Sequence, residues 1–104
     1  MYNNNVVLLK SNRKGKKFKV ILTKKSGETK TVHFGATGYS NFTKHKDPKR
    51  MNRYIARHKS RENWKKGGID TAGFWSRWIL WSKPDLKNAI KYTERKFGIR
   101  INKG

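Results

Sequence analysis

The sequence predicts an α+β fold, in which an N-terminal three-stranded antiparallel β-meander precedes about three helices packed on a Trp-rich core. Three observations support this prediction. Residues 6–34 contain short apolar or alternating runs separated by glycine-containing turns, a pattern typical of antiparallel strands. Helix-start signals follow in the second half of the chain. Residues 72–81 contain three of the four tryptophans, and such a density of large rings is typical of a buried element.

The strands are predicted from the apolar pattern. Residues 6–9 form a short apolar run, and the basic, glycine-containing residues 11–16 suit a turn. Residues 17–23 alternate, so that every second side chain lies on the same face of a strand. Residues 24–27 end in glycine and lead into a further β-rich run over residues 28–34, which is a hairpin signal. Together these runs predict the meander.

The next segment, residues 35–46, mixes glycines with aromatic residues and is predicted to be a loop. Asp47 and Pro48 then mark a helix start. A carboxylate accepts hydrogen bonds from the first free amides, and proline is tolerated in the first turn. We expect this helix to run from Pro48 to about Asn63.

Two more helices are predicted towards the C-terminus. Thr71 is a candidate cap for a short, very apolar helix over residues 72–81, which we expect to be the buried central element. Ser82, with Asp85 three residues later, fits a capping box that opens a last helix. That helix is expected to run to Phe97, where a glycine follows.

A single basic domain is expected to cover residues 1–104. Residues 1–5 are predicted to be flexible, residues 6–34 to form the β-meander and residues 47–98 to form the helical part. No internal repeat or long linker divides the sequence, and 104 residues is an ordinary length for one domain.

The charge of the chain is extreme and evenly spread. Lys and Arg number 27 against 6 Asp and Glu, which gives a net charge of +21. Residues 1–52 carry +11 and residues 53–104 carry +10, so the charge is not confined to a tail. Self-repulsion on this scale weakens a compact state, and a polyanionic partner relieves it. The composition therefore predicts a polyanion as partner, with nucleic acid as the first candidate.

Several classes of protein are excluded by what the sequence lacks. It has no cysteine, so it has no disulfide framework, no thiolate nucleophile and no cysteine-based zinc site. Its first residues do not have the layout of a signal peptide, and no apolar run approaches the ~18 residues that indicate a membrane span. We expect a soluble protein inside a cell or a particle, with no transmembrane segment, no cofactor and no metal.

The first predicted helix carries a row of arginines. At ~100° per residue they fall within a narrow arc, beside an apolar arc. A guanidinium group donates two parallel hydrogen bonds to a phosphate, so this helix is the leading candidate for backbone contacts. The arginines are Arg50, Arg53, Arg57 and Arg61, and the apolar arc comprises Met51, Ile55 and His58.

The last predicted helix carries a similar row, formed by Lys87, Lys91 and Arg95. Like charges at this spacing each destabilise a helix by roughly 0.2–0.5 kcal/mol, so both rows favour an anionic ligand. Further basic side chains are expected on the hairpin and on the turn before it. The hairpin supplies Lys17, Lys19, Lys24, Lys25 and Lys30, and the turn supplies Arg13, Lys14 and Lys16.

Aromatic side chains that could stack on unpaired bases are Tyr39, Phe42, Trp64 and Trp75. Core packing is the favoured interpretation of these residues. Trp75, Trp78 and Trp81 recur at helical spacing beside Phe74, which is typical of a folding centre rather than of a base platform.

No catalytic constellation is visible, and we predict that the protein is not an enzyme. The three histidines, at positions 33, 45 and 58, include no pair with the i, i+4 spacing of a helical metal motif. Asp47 and Asp85 are explained as helix caps, and the remaining carboxylates are scattered, whereas a two-metal nuclease needs clustered acids. His45 near Asp47 is interpreted as a surface residue rather than a general base.

Four motifs nevertheless carry a resemblance. They are HFGATGYSNFTKHKD at residues 33–47, RYIARHKSRENW at 53–64, TAGFWSRWILW at 71–81 and SKPDL at 82–86. In this order they resemble a small, basic protein family of nucleocytoplasmic large DNA viruses, including giant viruses of algae and amoebae. The resemblance covers residues 33–97. It implies a viral setting and no catalytic residues.

The leading hypothesis is a non-enzymatic, largely sequence-independent DNA-binding virion protein that neutralises or organises packaged viral genomic DNA through phosphate contacts. Such a protein is expected in the virion core or inner capsid, and in the viral factory, nucleus or cytoplasm of an infected cell. The first alternative is a minor capsid protein whose basic surface bridges acidic capsid proteins or an inner membrane. A further alternative is an RNA-binding protein. The sequence leaves the choice between DNA and RNA open, and also the oligomeric state.

Overall fold

The computed structural model describes residues 2–37 and 41–103, apart from the side chain of Lys44. Within these residues, strands β1 (Tyr2–Lys10), β2 (Lys16–Lys24) and β3 (Thr29–Ala36) form an antiparallel meander. A short strand β4 (Arg100–Lys103) adds to β1 in parallel, which gives the order β3-β2-β1-β4. The predicted α+β class, with a meander first and helices after it, is confirmed.

The inner face of the sheet is apolar because the strands alternate. Val20 on β2 lies opposite Leu8 on β1 and Val32 on β3, and all three side chains are buried. Phe18 and Phe34 form a further cross-strand pair, with ring centroids 5.9 Å apart. These pairs supply the sheet's half of the core.

Strand β1 begins earlier than predicted. Residues 2–5, which were expected to be flexible, belong to this strand, and Tyr2 pairs with Lys24 and packs against the core. The asparagine-rich start has no apolar alternation of its own. Its extended conformation follows from pairing of Tyr2 with β2 and of Asn5 with β4, which is a tertiary effect.

Four helices lie within the described residues, together with a 3-10 turn over Lys66–Gly68. Helix α1 (Phe42–His45) is a single turn inside the predicted loop, and α2 spans Pro48–His58. Helix α3 (Ala72–Trp75) continues directly into a π-helical turn (Ser76–Leu80), and the two together are called the central helix here. Helix α4 spans Leu86–Phe97.

Helix α2 is shorter than predicted, since it ends at His58 rather than near Asn63. The chain turns after His58, and the Arg61 amide donates to the His58 carbonyl. Beyond this turn, Trp64 packs against Tyr54 of α2, with ring centroids 6.1 Å apart. This tertiary contact turns the chain back across the helix, and the local sequence does not reveal it.

The central helix is the middle of the core, as predicted. Trp75 is fully buried and faces the sheet, with its ring centroid 6.5 Å from that of Phe34. Phe74 and Trp78 face α4 instead, where both pack against Phe97 at centroid distances of 4.9 and 5.4 Å. The central helix therefore joins the sheet and α4 in one hydrophobic cluster.

Helix α4 is capped by Asp85, which accepts a hydrogen bond from the Asn88 amide at 2.8 Å. Ser82, predicted to open the capping box, instead donates to the Trp78 carbonyl. Gly98 ends the helix with a φ of 64°, a left-handed conformation that glycine adopts without strain. The chain then forms β4, which the sequence analysis did not predict, and Ile101 on this strand is buried.

Candidate nucleic-acid interface

Helix α2 has a well-defined N-terminus and presents three arginines on one face. Asp47 accepts a hydrogen bond from the Lys49 amide at 3.0 Å and so fixes the first turn. Arg50, Arg53 and Arg57 are exposed and follow one another at spacings of three and four residues. Residues at these spacings are neighbours on a helix surface.

Tyr54 anchors this face to the body of the protein. It is the buried residue of α2, and its ring centroid lies 4.4 Å from that of Trp81. Tyr54 is one turn from both Arg50 and Arg57, so its burial turns the arginine face towards the protein rather than away from it. The packing face predicted from the sequence lies elsewhere on the helix. Its residues Met51, Ile55 and His58 are only partly buried.

The arginine face borders a cleft with a volume of about 480 Å³. Arg50, Arg53 and Arg57 line it from α2, and Lys16 and Lys17 line it from the start of β2. Its floor includes Ser76 and Leu80 of the central helix. Elements that are far apart in the sequence thus bring five lysines and arginines to one open cavity.

Gly35 lets the end of β3 approach this floor closely. Its φ is 79°, and a Cβ atom at this position would lie 2.8 Å from Cδ1 of Leu80 and 3.3 Å from Cβ of Lys17. Both the left-handed backbone and the close approach require a residue without a side chain. Gly35 therefore sets the shape of the cleft beside Lys17.

A second cavity, of about 600 Å³, adjoins the cleft. The two share Lys16, Lys17, Asn41 and Leu80 among their lining residues. The second cavity is also lined by Lys10 of β1. The basic surface is therefore longer than the cleft alone and extends past the start of β2.

Glu62 is the one carboxylate among the described residues that line the cleft. Its Oε2 accepts a hydrogen bond from Nε1 of Trp64 at 3.0 Å, and its Oε1 lies 3.7 Å from Nδ1 of His58. A Cβ atom on Gly73 would lie only 2.7 Å from this carboxylate, so it is packed tightly against the central helix. Glu62 thus lines the cleft with one oxygen bound by Trp64 and the other near His58.

Burial makes ionisation of Tyr54 even less favourable than that of an exposed tyrosine. Loss of hydration, reinforced by the negative charge of Glu62, raises the pKa of Tyr54, and the nearby Arg77 opposes this effect. Tyr54 is therefore a neutral phenol across the physiological range, and it adds no negative charge to the basic cleft.

The match to known proteins covers this part of the chain. Residues 6–58 match DUF5754, a family of unknown function. The chain belongs to this family. The matched DUF5754 segment runs from β1 to the end of α2, and it contains all five lysines and arginines that line the cleft. No curated protein and no solved structure matches the chain.

The structure brings together only part of the predicted binding set. Five of the predicted residues line the cleft, and all of them belong to the DUF5754 segment. They are Arg50, Arg53, Arg57, Lys16 and Lys17. Arg61 lies beyond the end of α2, where its Nη2 donates to the Arg57 carbonyl at 3.4 Å. The residues that lie outside the cleft are Arg13, Lys14, Lys19, Lys24, Lys25, Arg61, Lys87, Lys91 and Arg95.

Several of these residues contact other side chains of the hairpin and of the turn before it. Lys24 pairs with Glu28 at 3.8 Å across the hairpin turn. Arg13 and Lys19 lie near His33, and partial burial followed by their positive charges lowers the pKa of His33. His33 is within hydrogen-bonding distance of Ser11, with Nδ1 and Oγ 2.7 Å apart. The turn and the outer side of the hairpin thus continue the basic surface of the cleft, because the charge of Lys16, which lines the cleft, also lowers the pKa of His33.

The aromatic candidates pack in the protein, as the sequence analysis favoured. Phe42 and Trp75 are buried, and Trp64 packs against Tyr54. Tyr39 lies outside the described residues. The sequence analysis missed Tyr54 as the anchor of α2, although its spacing from Arg50 and Arg57 placed it on the arginine face.

His45 is a packed residue rather than an isolated surface one. Its Nδ1 accepts a hydrogen bond from the Asp47 amide at 3.0 Å, and its ring centroid lies 5.3 Å from that of Trp81. Burial, followed by the charge of Arg50, lowers the pKa of His45 although Asp47 opposes the shift. His45 therefore supports the start of α2 as a neutral acceptor.

No group of three or more His, Cys, Asp or Glu side chains lies close enough together in the described part of the chain to hold a metal ion. No helix among the described residues is both long and apolar enough to cross a membrane.

Proposed function

We propose that this protein is a non-enzymatic DNA-binding protein that contacts the phosphate backbone through the basic cleft and neutralises or organises packaged viral genomic DNA. The observation that carries the proposal is the convergence of Arg50, Arg53 and Arg57 with Lys16 and Lys17 on one cavity. Cations gathered from separate elements repel one another. A phosphate backbone relieves that repulsion and releases counterions on binding.

The spacing of the arginines suits one strand of DNA. Arg50 and Arg57 are seven residues apart on α2, which is about 10 Å along a helix axis. One DNA strand carries a phosphate about every 3.4 Å along the duplex axis, so a row of this length matches about three phosphates. Bidentate guanidinium groups are well suited to such contacts.

The polar groups near the cleft favour binding without sequence preference. Arg and Lys can read guanine edges, whereas adenine edges are read by the amides of Asn or Gln. Asn41 lines the cleft, but its Oδ1 accepts a hydrogen bond from the Thr43 amide at 3.0 Å. Asn63, five residues beyond the end of α2, likewise accepts one from the Lys65 amide at 3.1 Å. Adenine readout by these two amides is therefore disfavoured, and we propose that the arginines of the cleft contact the phosphate backbone.

The non-enzymatic part of the proposal rests on the surroundings of Glu62. Phosphodiester hydrolysis by metal ions uses clustered carboxylates that remain open to the ions. In the described cleft, Glu62 is instead engaged by Trp64 and His58. The viral setting rests on the resemblance of residues 33–97, and it supplies a long duplex genome as the polyanion.

A salt titration of binding tests the proposal. We expect tight binding to duplex DNA at low salt, with similar affinity for unrelated sequences and a log–log salt slope of about −0.9 per phosphate contacted. Duplex RNA and anionic vesicles serve as comparison ligands in the same titration. A slope near zero, a strong preference for one DNA sequence, or tighter binding to vesicles than to DNA would overturn the proposal.

A pair of triple variants locates the contact. Arg50, Arg53 and Arg57 are replaced together by Gln, which keeps length and helix propensity. The matched control replaces three exposed lysines that line neither cavity, Lys59, Lys65 and Lys103. The cleft variant should lower the salt slope by about 2.7, at about 0.9 per contact, and the control should change it far less. An equal change in both variants would mean that only total charge matters.

Incubation of the wild-type protein with end-labelled duplex DNA and Mg²⁺ tests the absence of catalysis. The DNA should remain at full length while it is bound. Shortened products that disappear in a His58→Gln variant would show that the cleft is a nuclease site instead.

A further inference from the structure

The two basic helix rows lie on opposite flanks of the helical layer. The central helix separates them, because its Ser76 and Leu80 line the cleft beside α2. Its Phe74 and Trp78 face the other way and pack against Phe97 of α4. Helix α2 therefore lies on one side of the central helix and α4 on the other.

The two rows are closest at the starts of their helices. Nζ of Lys46, just before α2, donates to the Pro84 carbonyl just before α4, and Leu86 at the start of α4 lines the cavity that adjoins the cleft. Beyond their starts the rows lie on different sides of the central helix, which borders the cleft with one face and packs against α4 with another. DNA bound at the cleft therefore contacts one side of the helical layer and leaves the other side for a second partner.

The α4 row is itself a continuous cationic surface. Lys87, Lys91 and Arg95 are all exposed, and they span about 12 Å at 1.5 Å per residue. The two carboxylates next to the row accept hydrogen bonds from backbone amides. Asp85 accepts from the Asn88 amide at 2.8 Å, and Oε2 of Glu94 accepts from the Ile101 amide at 2.7 Å.

Further cations extend this flank beyond the row. Nζ of Lys83 lies 4.4 Å from the centre of the Tyr92 ring, and Nζ of Lys96 lies 5.1 Å from that of Trp78. These aromatic rings hold the two ammonium groups on the surface of α4. The flank is thus long enough, and charged enough, to contact several phosphates of one duplex.

We propose that the α4 row binds a second segment of duplex DNA, so that one protein molecule bridges two duplexes. This inference rests on the proposed function, since the first duplex occupies the basic cleft. Bridging draws separate DNA segments together, whereas a single binding surface only coats one segment. The α4 row is therefore the part of the molecule that condenses DNA.

A capture experiment with the full chain tests this inference. One biotinylated duplex of random sequence is fixed on beads, and a second, fluorescent duplex is offered with increasing protein. Bridging by two sites on one molecule should give capture that rises, passes through a maximum and falls when excess protein coats each duplex separately. Capture that stays constant at excess protein, or that appears only where sedimentation velocity shows protein dimers, would overturn the inference in favour of self-association.

Charge-matched variants assign the second site. Replacing Lys87, Lys91 and Arg95 by Gln should abolish capture of the fluorescent duplex, while binding to a single short duplex persists. The control with Lys59, Lys65 and Lys103 replaced removes the same charge and should retain capture. If both variants lose capture equally, or if the α4 variant retains it, the α4 row is not a second DNA site.

The failure of this inference is distinguishable from the failure of the proposed function. Wild-type protein that binds one duplex with a steep salt slope but never captures a second one overturns bridging alone. Wild-type protein that binds no duplex at low salt overturns the proposed function. Circular dichroism of each variant shows whether it remains folded, and a second α4 variant with Lys87 and Lys91 alone replaced keeps the test open if the triple variant unfolds.

Discussion

Helices α2 and α4 carry nearly the same basic pattern, yet they are attached to the protein in different ways. Helix α4 buries Ala89, Ile90 and Thr93 along its inner face, whereas α2 buries Tyr54 alone. The basic row of α4 therefore lies opposite a broad packed face. The arginines of α2 instead share their face with the single anchor and border an open cleft.

This difference teaches that spacing alone does not define the role of a basic row. A helix with many buried residues opens only with the whole domain, whereas one with few buried contacts can open locally. We therefore expect α4 to be part of the cooperative core, and α2 to be the more easily detached element.

The largest effect is expected from Trp78→Ala. Trp78 is 8% exposed, packs against Phe97 of α4 and donates from Nε1 to the Trp64 carbonyl at 2.9 Å. Loss of a buried aromatic ring should lower the free energy of unfolding by about 3–5 kcal/mol. Chemical denaturation measures the change, and Trp78→Phe, which keeps a ring, should lose much less. Unchanged stability would show that α4 is not joined to the core through this residue.

A smaller, local effect is expected from Tyr54→Ala. The loss should be about 3 kcal/mol, at the low end for a buried aromatic residue, because one side of Tyr54 borders the cleft. Hydrogen exchange should accelerate in α2 while the amides of α4 stay protected, and DNA affinity should fall. Tyr54→Phe retains the ring contacts with Trp81 and is the control. Equal acceleration in α2 and α4 would contradict separate anchoring.

Alanine substitutions of two glycines, one beside the cleft and one at the end of α4, should differ in their cost in stability. Gly35→Ala beside the cleft combines a left-handed φ with a clash against Leu80, so we expect a loss of about 2–3 kcal/mol. Gly98→Ala at the end of α4 meets no atom within 4 Å and should cost only the backbone strain, about 1–2 kcal/mol. Thermal denaturation of the two variants measures the difference. Equal losses would mean that the close approach at the cleft is relieved without cost.

The smallest effect is expected from pH, and on the α2 side it should come from His45. The lowered pKa of His45 means that the unfolded chain binds this proton more readily than the folded protein does. Its contribution to stability is therefore complete above pH 6.5, its ordinary value, and is lost as pH falls below it. Melting temperatures at several pH values should show this loss in the wild type. His45→Asn keeps an acceptor that does not titrate, and it should reduce the loss.

A contribution from the sheet side needs a separate control. The pKa of His33 is also lowered, and His33→Asn should remove its own share of the pH dependence. If His45→Asn and the wild type lose melting temperature equally as the pH falls, His45 does not support α2 as a neutral acceptor.

Much of the fold could be predicted because its signals are local. Alternation predicted β2, the Asp47–Pro48 pair predicted the start of α2, and the aromatic spacing predicted the central helix. Strand β4 was missed because four residues are too few to show an alternating pattern. The candidate site was predicted only in part. Arg50, Arg53 and Arg57 were expected to act together, but their facing partners Lys16 and Lys17 were not distinguished from the other lysines.

The sequence by itself determined the chemistry of this protein: a charge of +21, an apolar sheet face and helices with basic rows. These properties depend on composition and on short-range spacing. Tertiary structure alone decided which cations meet, because residues 16 and 50 are distant in the chain and come together only when Tyr54 is buried against Trp81. It also decided that the α4 row lies on the other flank, since the central helix packs between the two rows. Such long-range arrangement follows from how the core closes, and no local pattern records it.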